Sequence, residues 1–281
     1  MRLVVSNIAW KPDDDEAVGS VLRECGADAV ELAPTAYWPD PLIANAGERA
    51  VLRRAWEGRG LPVVALQSLL FGYPQLNLFD PAPRDATRER LAGMLEVAAD
   101  LGAGVLVFGS PRNRARGALG DEEALAVAVP FFRALGDRAA ALGVCLCIEP
   151  NPPAYGCDFV TTPAQGRELV ARVGSPGFGL HLDAAGTLLA GEDPVAEAGR
   201  AAATLRHFHA SAPQLGPVGP GAGVDYAGAI GALVRGGYRG DVSIEMRSAE
   251  APEARLAAVR RAVETIRPLV PRRPPLAEGR A

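Results

Sequence analysis

The feature that most constrains this chain is an alternation carried from end to end, in which eight short apolar, β-rich runs are separated by longer stretches of helical periodicity. The runs fall at residues 3–6, 29–32, 62–66, 104–108, 144–149, 177–183, 205–209 and 242–245. Helical patterns fall between and after them, at 13–25, 47–58, 84–101, 122–142, 162–173, 194–204, 226–235 and 252–270. The strand entries CGADAVEL, GRGLPVVAL, LGAGVLVFG, LGVCLCIEP and YRGDVSIEM repeat one theme. Each sets a glycine near the end of the preceding helix and then runs into a buried strand that stops at a polar residue. Eight βα units in 281 residues, with no second regime of composition, predict a single α/β domain, a (β/α)8 TIM barrel over residues 1–270. A doubly wound sheet is the alternative, but it would place a glycine-rich phosphate turn after the first strand, where this chain reads SNIAWKPD. The closing PRRPPLAEGRA, residues 271–281, is expected to be a disordered Pro/Arg-rich tail.

Composition narrows the function. With 48% hydrophobic residues the chain can bury a large core. The net charge is −4 and no basic tract is interleaved with aromatics, which argues against nucleic acid as a partner. No apolar run is long enough to span a bilayer and the start MRLVVSNIAW is not a leader, so no membrane is involved and a cytoplasmic location is expected. Cys25, Cys145, Cys147 and Cys157 lack CxxC spacing and read as reduced thiols. Lys11 is the only lysine, which leaves Schiff-base chemistry a single candidate.

Chemistry in a (β/α)8 barrel sits at the C-terminal ends of the strands. Strands five to eight end at Glu149, Asp183, His209 and Glu245, each about one βα unit after the last. A strand-end acid can serve as a cap for the next helix, but four ionisable groups on successive strands point to a shared task. Three carboxylates and an imidazole converging on one point repel unless a cation sits among them, and hard oxygen donors with one nitrogen suit one divalent ion, Mn²⁺, Mg²⁺ or Co²⁺. Around them, His181 alternates with Asp183 and faces the barrel interior, and Glu31 and Gln67 end strands two and three at the expected mouth. Arg247, two residues past Glu245, has the fork that binds a phosphate or carboxylate. His207, in phase with His209 but a layer deeper, reads as an interior histidine.

The series IEPNP, LDAAG, HFHAS with a downstream GPGAGVDY, and GYRGDVSIE resembles the xylose-isomerase-like superfamily of sugar phosphate isomerases and epimerases. The resemblance covers nearly the whole chain and is most specific from Cys147 to Glu245. It implies that Glu149, Asp183, His209 and Glu245 bind one divalent ion, Mn²⁺ foremost, and that Glu149 and Glu245 also move protons. The implied reaction is isomerisation or epimerisation of a sugar or sugar-derived ketone by proton transfer through a metal-held enediolate. Xylose isomerases that shift hydride carry a lysine two positions after the strand-five glutamate, where this chain has Asn151, so proton transfer is favoured and Asn151 becomes a candidate substrate contact. Ketose epimerases carry a histidine where this chain has Gly186 and an arginine in the loop after the strand-seven histidine, where ASAPQLGPVGPGAG has none. A specialised cyclic or modified substrate is therefore expected. A dehydratase of the inosose or dehydroshikimate type is the alternative on the same barrel. The DNA-repair endonuclease branch needs a zinc cluster that three histidines cannot supply, and a non-catalytic sugar-binding barrel would have no use for four metal ligands. The expected partner is a small sugar-like molecule, in an assembly compatible with a homodimer or homotetramer.

Overall fold

The computed structural model describes residues 1–272. Strands β1 (Arg2–Ser6), β2 (Ala29–Leu32), β3 (Val63–Leu66), β4 (Val105–Phe108), β5 (Cys145–Ile148), β6 (Phe178–Asp183), β7 (Leu205–Ser211) and β8 (Asp241–Glu245) pair in parallel in chain order and close into a barrel. At the seam, Arg2 of β1 grips Asp241 of β8 through two hydrogen bonds of 2.7 and 2.6 Å. This bidentate pair fixes the register Arg2↔Asp241 that closes the sheet.

The helices α1 (Asp15–Cys25), α2 (Ala46–Gly58), α3 (Arg84–Leu101), α4 (Asp121–Ala141), α5 (Pro163–Val173), α6 (Ala184–Leu189), α7 (Pro194–Ala201), α8 (Tyr226–Arg235) and α9 (Pro252–Ile266) form the outer ring, with α1 against α9. Local chemistry starts and stops them. Asn45 and Glu48 form a reciprocal capping box at the head of α2, and Gly26 ends α1 at φ +80°, a conformation glycine takes without steric cost. The observed strands agree with the expected runs to within one or two residues. Two differences matter for the site. Strand β7 continues two residues past His209 to Ser211, and α6, which the apolar periodicity did not reveal, starts directly on Asp183 as its cap. The tail expected at 271–281 lies, from residue 273 onward, outside the described residues.

The apolar core lies between sheet and helices, where Leu3, Leu22, Leu32, Trp56, Leu66 and Phe132 are fully buried. Burying side chains of this size contributes roughly 1.5–3 kcal/mol each. Inside the barrel the character changes. Val4, Ala29 and Val64 make a small separate apolar cluster, and above it the lumen is filled with Ser6, Glu31, His181, His207 and Ser243, all 0% exposed. Hydrophobic burial outside holds the barrel closed, so its interior is free to carry polar groups.

Candidate active site

The parallel register sets Asp183 of β6 beside His209 of β7, and His209 beside Ser243 of β8. Glu245 stands two residues further along β8, level with Ser211, and Glu149 follows directly on β5. The ligand atoms of Glu149, Asp183 and His209 lie within 4.8 Å of one another. Glu245 joins them through Oε2, 3.4 Å from His209 Nδ1, which is also 4.0 Å from Asp183 Oδ2.

Asp183, His209 and Glu245 each have one side-chain atom held by another residue. Asp183 Oδ1 accepts the Gly186 N–H at 2.5 Å and so caps α6, while its Oδ2 is buried without a hydrogen-bond partner. His209 Nε2 meets Glu31 at 3.0 Å, which leaves Nδ1 buried and unpartnered. Glu245 Oε1 accepts from Gln67 Nε2 at 3.0 Å, and that amide also donates to Ser6 Oγ at 2.8 Å. Glu149 is held at its backbone, where the fully buried Arg114 donates to its carbonyl at 2.6 Å and to that of Phe108 at 3.2 Å. Its carboxylate occupies the space beside Gly109, where a Cβ would collide with Glu149 Oε2.

The electrostatics are those of crowded acids. Burial, reinforced by Asp183 and then Glu245, pushes the Glu149 carboxyl up to about 8. Burial and Glu245 push Asp183 up to about 6. Burial pulls the His209 imidazole down, but the charges of Glu31 and Glu245 outweigh it and hold the ring well above its ordinary value. At neutral pH Glu149 and the His209 ring therefore hold protons that relieve the crowding of negative charge. Buried, unpartnered donor atoms on Asp183 and His209, beside carboxyls that resist ionising together, fit a divalent cation among these four residues.

Glu31 corrects the sequence reading. It was expected at the mouth as a substrate contact, yet it is 0% exposed and lies beneath His209. Its carboxylate accepts Ser243 Oγ at 2.6 Å and faces His207 Nε2 at 3.5 Å. Burial alone would raise its pKa, but His209 and His207 hold it well below the ordinary carboxylate range. A carboxylate behind an imidazole fixes the ring's orientation and tautomer and leaves the other nitrogen free for a ligand's role. His181, also expected near substrate, is likewise 0% exposed, with Nε2 3.6 Å from Glu149 Oε1. Burial and then the two other histidines depress its pKa well below 6.5, so it is a neutral ring against Glu149 and His209. Ring nitrogens of the three histidines also approach within 4.8 Å of one another.

The carboxylates form the floor of two compartments. One, of about 240 Å³, is walled by Leu69, Leu70, Phe71, Val107 and Phe108 and by Gln67. The other, of about 540 Å³, is lined by Asn151, Tyr155, Ser211, Gln214 and Arg247. Glu149 and Glu245 border both. Asn151 touches the larger compartment while its amide donates to the Gly109 carbonyl at 2.8 Å, and Arg247 is exposed at its rim.

Residues 20–269 match the family model described as the xylose isomerase-like TIM barrel. The chain belongs to that family. No match was found among curated protein sequences. Among solved structures, an L-ribulose 3-epimerase superposes with a TM-score of 0.77 at 21% identity, over 93% of this chain and 91% of that one. The apo 3-keto-D-glucoside 4-epimerase from E. coli gives 0.74 at 20% identity, over 92% and 97%. The IOLI protein with a bound zinc atom gives 0.72 at 19% identity, over 96% of each. At such identities the likeness is one of fold. In this xylose isomerase-like barrel, several residues that shape the site were not singled out by the sequence pattern: Gly109, Arg114, Ser243 and Tyr155 act through contacts between neighbouring strands, across the barrel or between loops. Only Gly109, at a strand end, carried a hint.

Proposed function

We propose that this chain is a divalent-metal-dependent isomerase or epimerase of a sugar or sugar-derived ketone, working by proton transfer. The observation that carries the reading is that Glu149 and Glu245 both border the two compartments, on either side of the unpartnered atoms of Asp183 and His209. The names of the fold neighbours, which include sugar epimerases, support it. Glu149, Asp183, His209 and Glu245 would hold the ion, Mn²⁺ by the hardness of the donor set, with Mg²⁺ or Co²⁺ as alternatives. Such an ion, when bound, supplies a Lewis acid that acidifies the C–H next to the substrate carbonyl.

The remaining work falls to the protein. One glutamate removes the proton from that carbon, and the other returns one to the same or the neighbouring carbon, which separates epimerisation from isomerisation. Gln67 holds Glu245 Oε1, so Oε2 is the oxygen available for this task. Water is limited by the wall of Leu69, Leu70 and Phe108. Residues 1–270 make up the catalytic unit, and the four free cysteines accord with a reducing cytoplasm. Incubation with ketoses in D₂O tests the reading: deuterium is expected at the carbon beside the carbonyl in recovered substrate and product. Turnover with no solvent deuterium under any condition would overturn proton transfer, and loss of water from the product would make the enzyme a dehydratase.

A further inference from the structure

We propose that the larger compartment receives a carboxylate carried on the substrate, and that Arg247 is the residue that selects it. This rests on the isomerase or epimerase reading and narrows its substrate class to ketoses, or cyclic sugar-derived ketones, that bear one carboxylate away from the reacting carbonyl.

Arg247 is the one arginine or lysine among the described residues that line either compartment. Among the described residues its guanidinium has no hydrogen-bond or ion-pair partner, although Glu245 is two residues away, whereas the buried arginines are all engaged: Arg90 with Asp40, Arg114 with the Phe108 and Glu149 carbonyls, and Arg255 with Asp14. An unspent planar fork at the rim of a pocket is suited to a planar anion.

The rim is built to hold it there. The Gln214 N–H donates to Tyr155 Oη at 3.0 Å, and the Arg247 N–H donates to the Leu215 carbonyl at 2.8 Å. These two bonds lace together the loops that follow β5, β7 and β8. Gln214 and Leu215 between them sit at φ +59° and +56°, left-handed values uncommon for residues other than glycine. Backbone strain of this kind persists where surrounding contacts over-determine it, and here it sets the base of Arg247 against the compartment. Because Tyr155 Oη accepts from Gln214, its own hydrogen remains free to donate to a ligand. Tyr155 and Arg247 line the same compartment, and the acceptors of one carboxylate can take donors from both. A phosphate dianion is usually met by a free helix N-terminus or several cations. Here the helix that starts at the floor, α6, is already capped by Asp183, and a single arginine is present.

The test compares D-fructose, D-fructuronate and D-fructose 6-phosphate, identical at the keto end and different only in the terminal group, together with the matching D-tagatose set. Each is titrated calorimetrically into the Mn²⁺-loaded full chain. In at least one set the carboxylate is expected to bind about tenfold or more tighter than both the neutral sugar and the phosphate, the size of one charge-assisted contact. R247Q should abolish that preference and, where turnover is measurable, raise KM for the carboxylate more than it lowers kcat. R247K should restore only part, since an ammonium cannot form the fork. A neutral sugar or phosphate bound as tightly as the carboxylate in both sets, or a preference that survives R247Q, overturns the proposal. Binding is read without turnover, so a carboxylate preference without solvent exchange would strike the proton-transfer reading alone. Exchange on neutral ketoses without any preference would strike only this one.

Discussion

The two halves of the barrel do different work. Strands β5 to β8 supply the groups with free donor atoms: Glu149, Asp183, His209 and Glu245. Strands β1 to β4 and the residues just past them supply Glu31, Gln67 and Gly109, which touch His209, Glu245 and Glu149 in turn, while Ser6 accepts from Gln67. Gln67 holds one oxygen of Glu245, Glu31 holds one nitrogen of His209, and Gly109 leaves room for Glu149. The difference teaches that a ligand set is only half a site. An acid at a strand end has many orientations, and the opposite half engages one atom of His209 and one of Glu245, while Asp183 is held by the Gly186 N–H of its own α6.

The largest effect should come from the half that bears the proposed ligands. Glu149→Gln and Glu245→Gln keep side-chain shape but remove a base, and each is expected to cut turnover by at least about a hundredfold. Steady-state kinetics with folding checked by circular dichroism would measure this. If either variant keeps most of its turnover, that glutamate does not move protons and the division of labour fails.

The opposite half should act through affinity. Glu31→Gln, which cannot hold His209 by charge, is expected to weaken Mn²⁺ binding about 10–100-fold, measured by equilibrium dialysis. Unchanged affinity would mean that the β1–β4 half does not orient the ligands.

A smaller effect follows from the crowded acids. In the folded, metal-free chain Glu149 rises from 4.5 to about 8 and Asp183 from 3.8 to about 6. The folded state therefore binds more protons than the unfolded one in those windows, and the stability these groups contribute is present at low pH and lost as pH rises through the folded values. His209, raised above 6.5, acts in the same direction, while His181, held below 6.5, opposes it, which leaves the two raised carboxyls to set the sign. The Tm of metal-free protein should accordingly fall from pH 5 to pH 8, and Mn²⁺ should raise it more at pH 8 than at pH 5, by differential scanning calorimetry. A metal-induced rise that is the same at both pH values would show that these carboxyls do not exchange protons for the ion.

The smallest effect is expected at Lys11, exposed and outside both compartments. Lys11→Met should keep most of the activity, because proton transfer between carboxylates needs no amine. A thousandfold loss with folding intact would refute that route.

Much of this could be read from the chain alone. Strand and helix periods are local, so the eightfold alternation reported the barrel, and four successive strand ends reported Glu149, Asp183, His209 and Glu245. The helix α6 was hidden because six residues hold too little period, and because its cap, Asp183, had another evident use. Glu31 and His181 were legible as inward-facing residues, but their depth was not: a strand end in sequence does not reveal how far the sheet's stagger lowers one strand against its neighbours.

What the sequence determined by itself is therefore the architecture and the identity of the ionisable groups, since both follow from spacing along one chain. Only the tertiary structure decided which atom of each group is free. That choice depends on contacts between residues as far apart as Glu31 and His209 or Gln67 and Glu245, brought together solely by closing β8 onto β1. The same closure, with the loops laced over it, places Arg247, unpaired among the described residues, at the rim, a position that no local pattern in SIEMRS encodes.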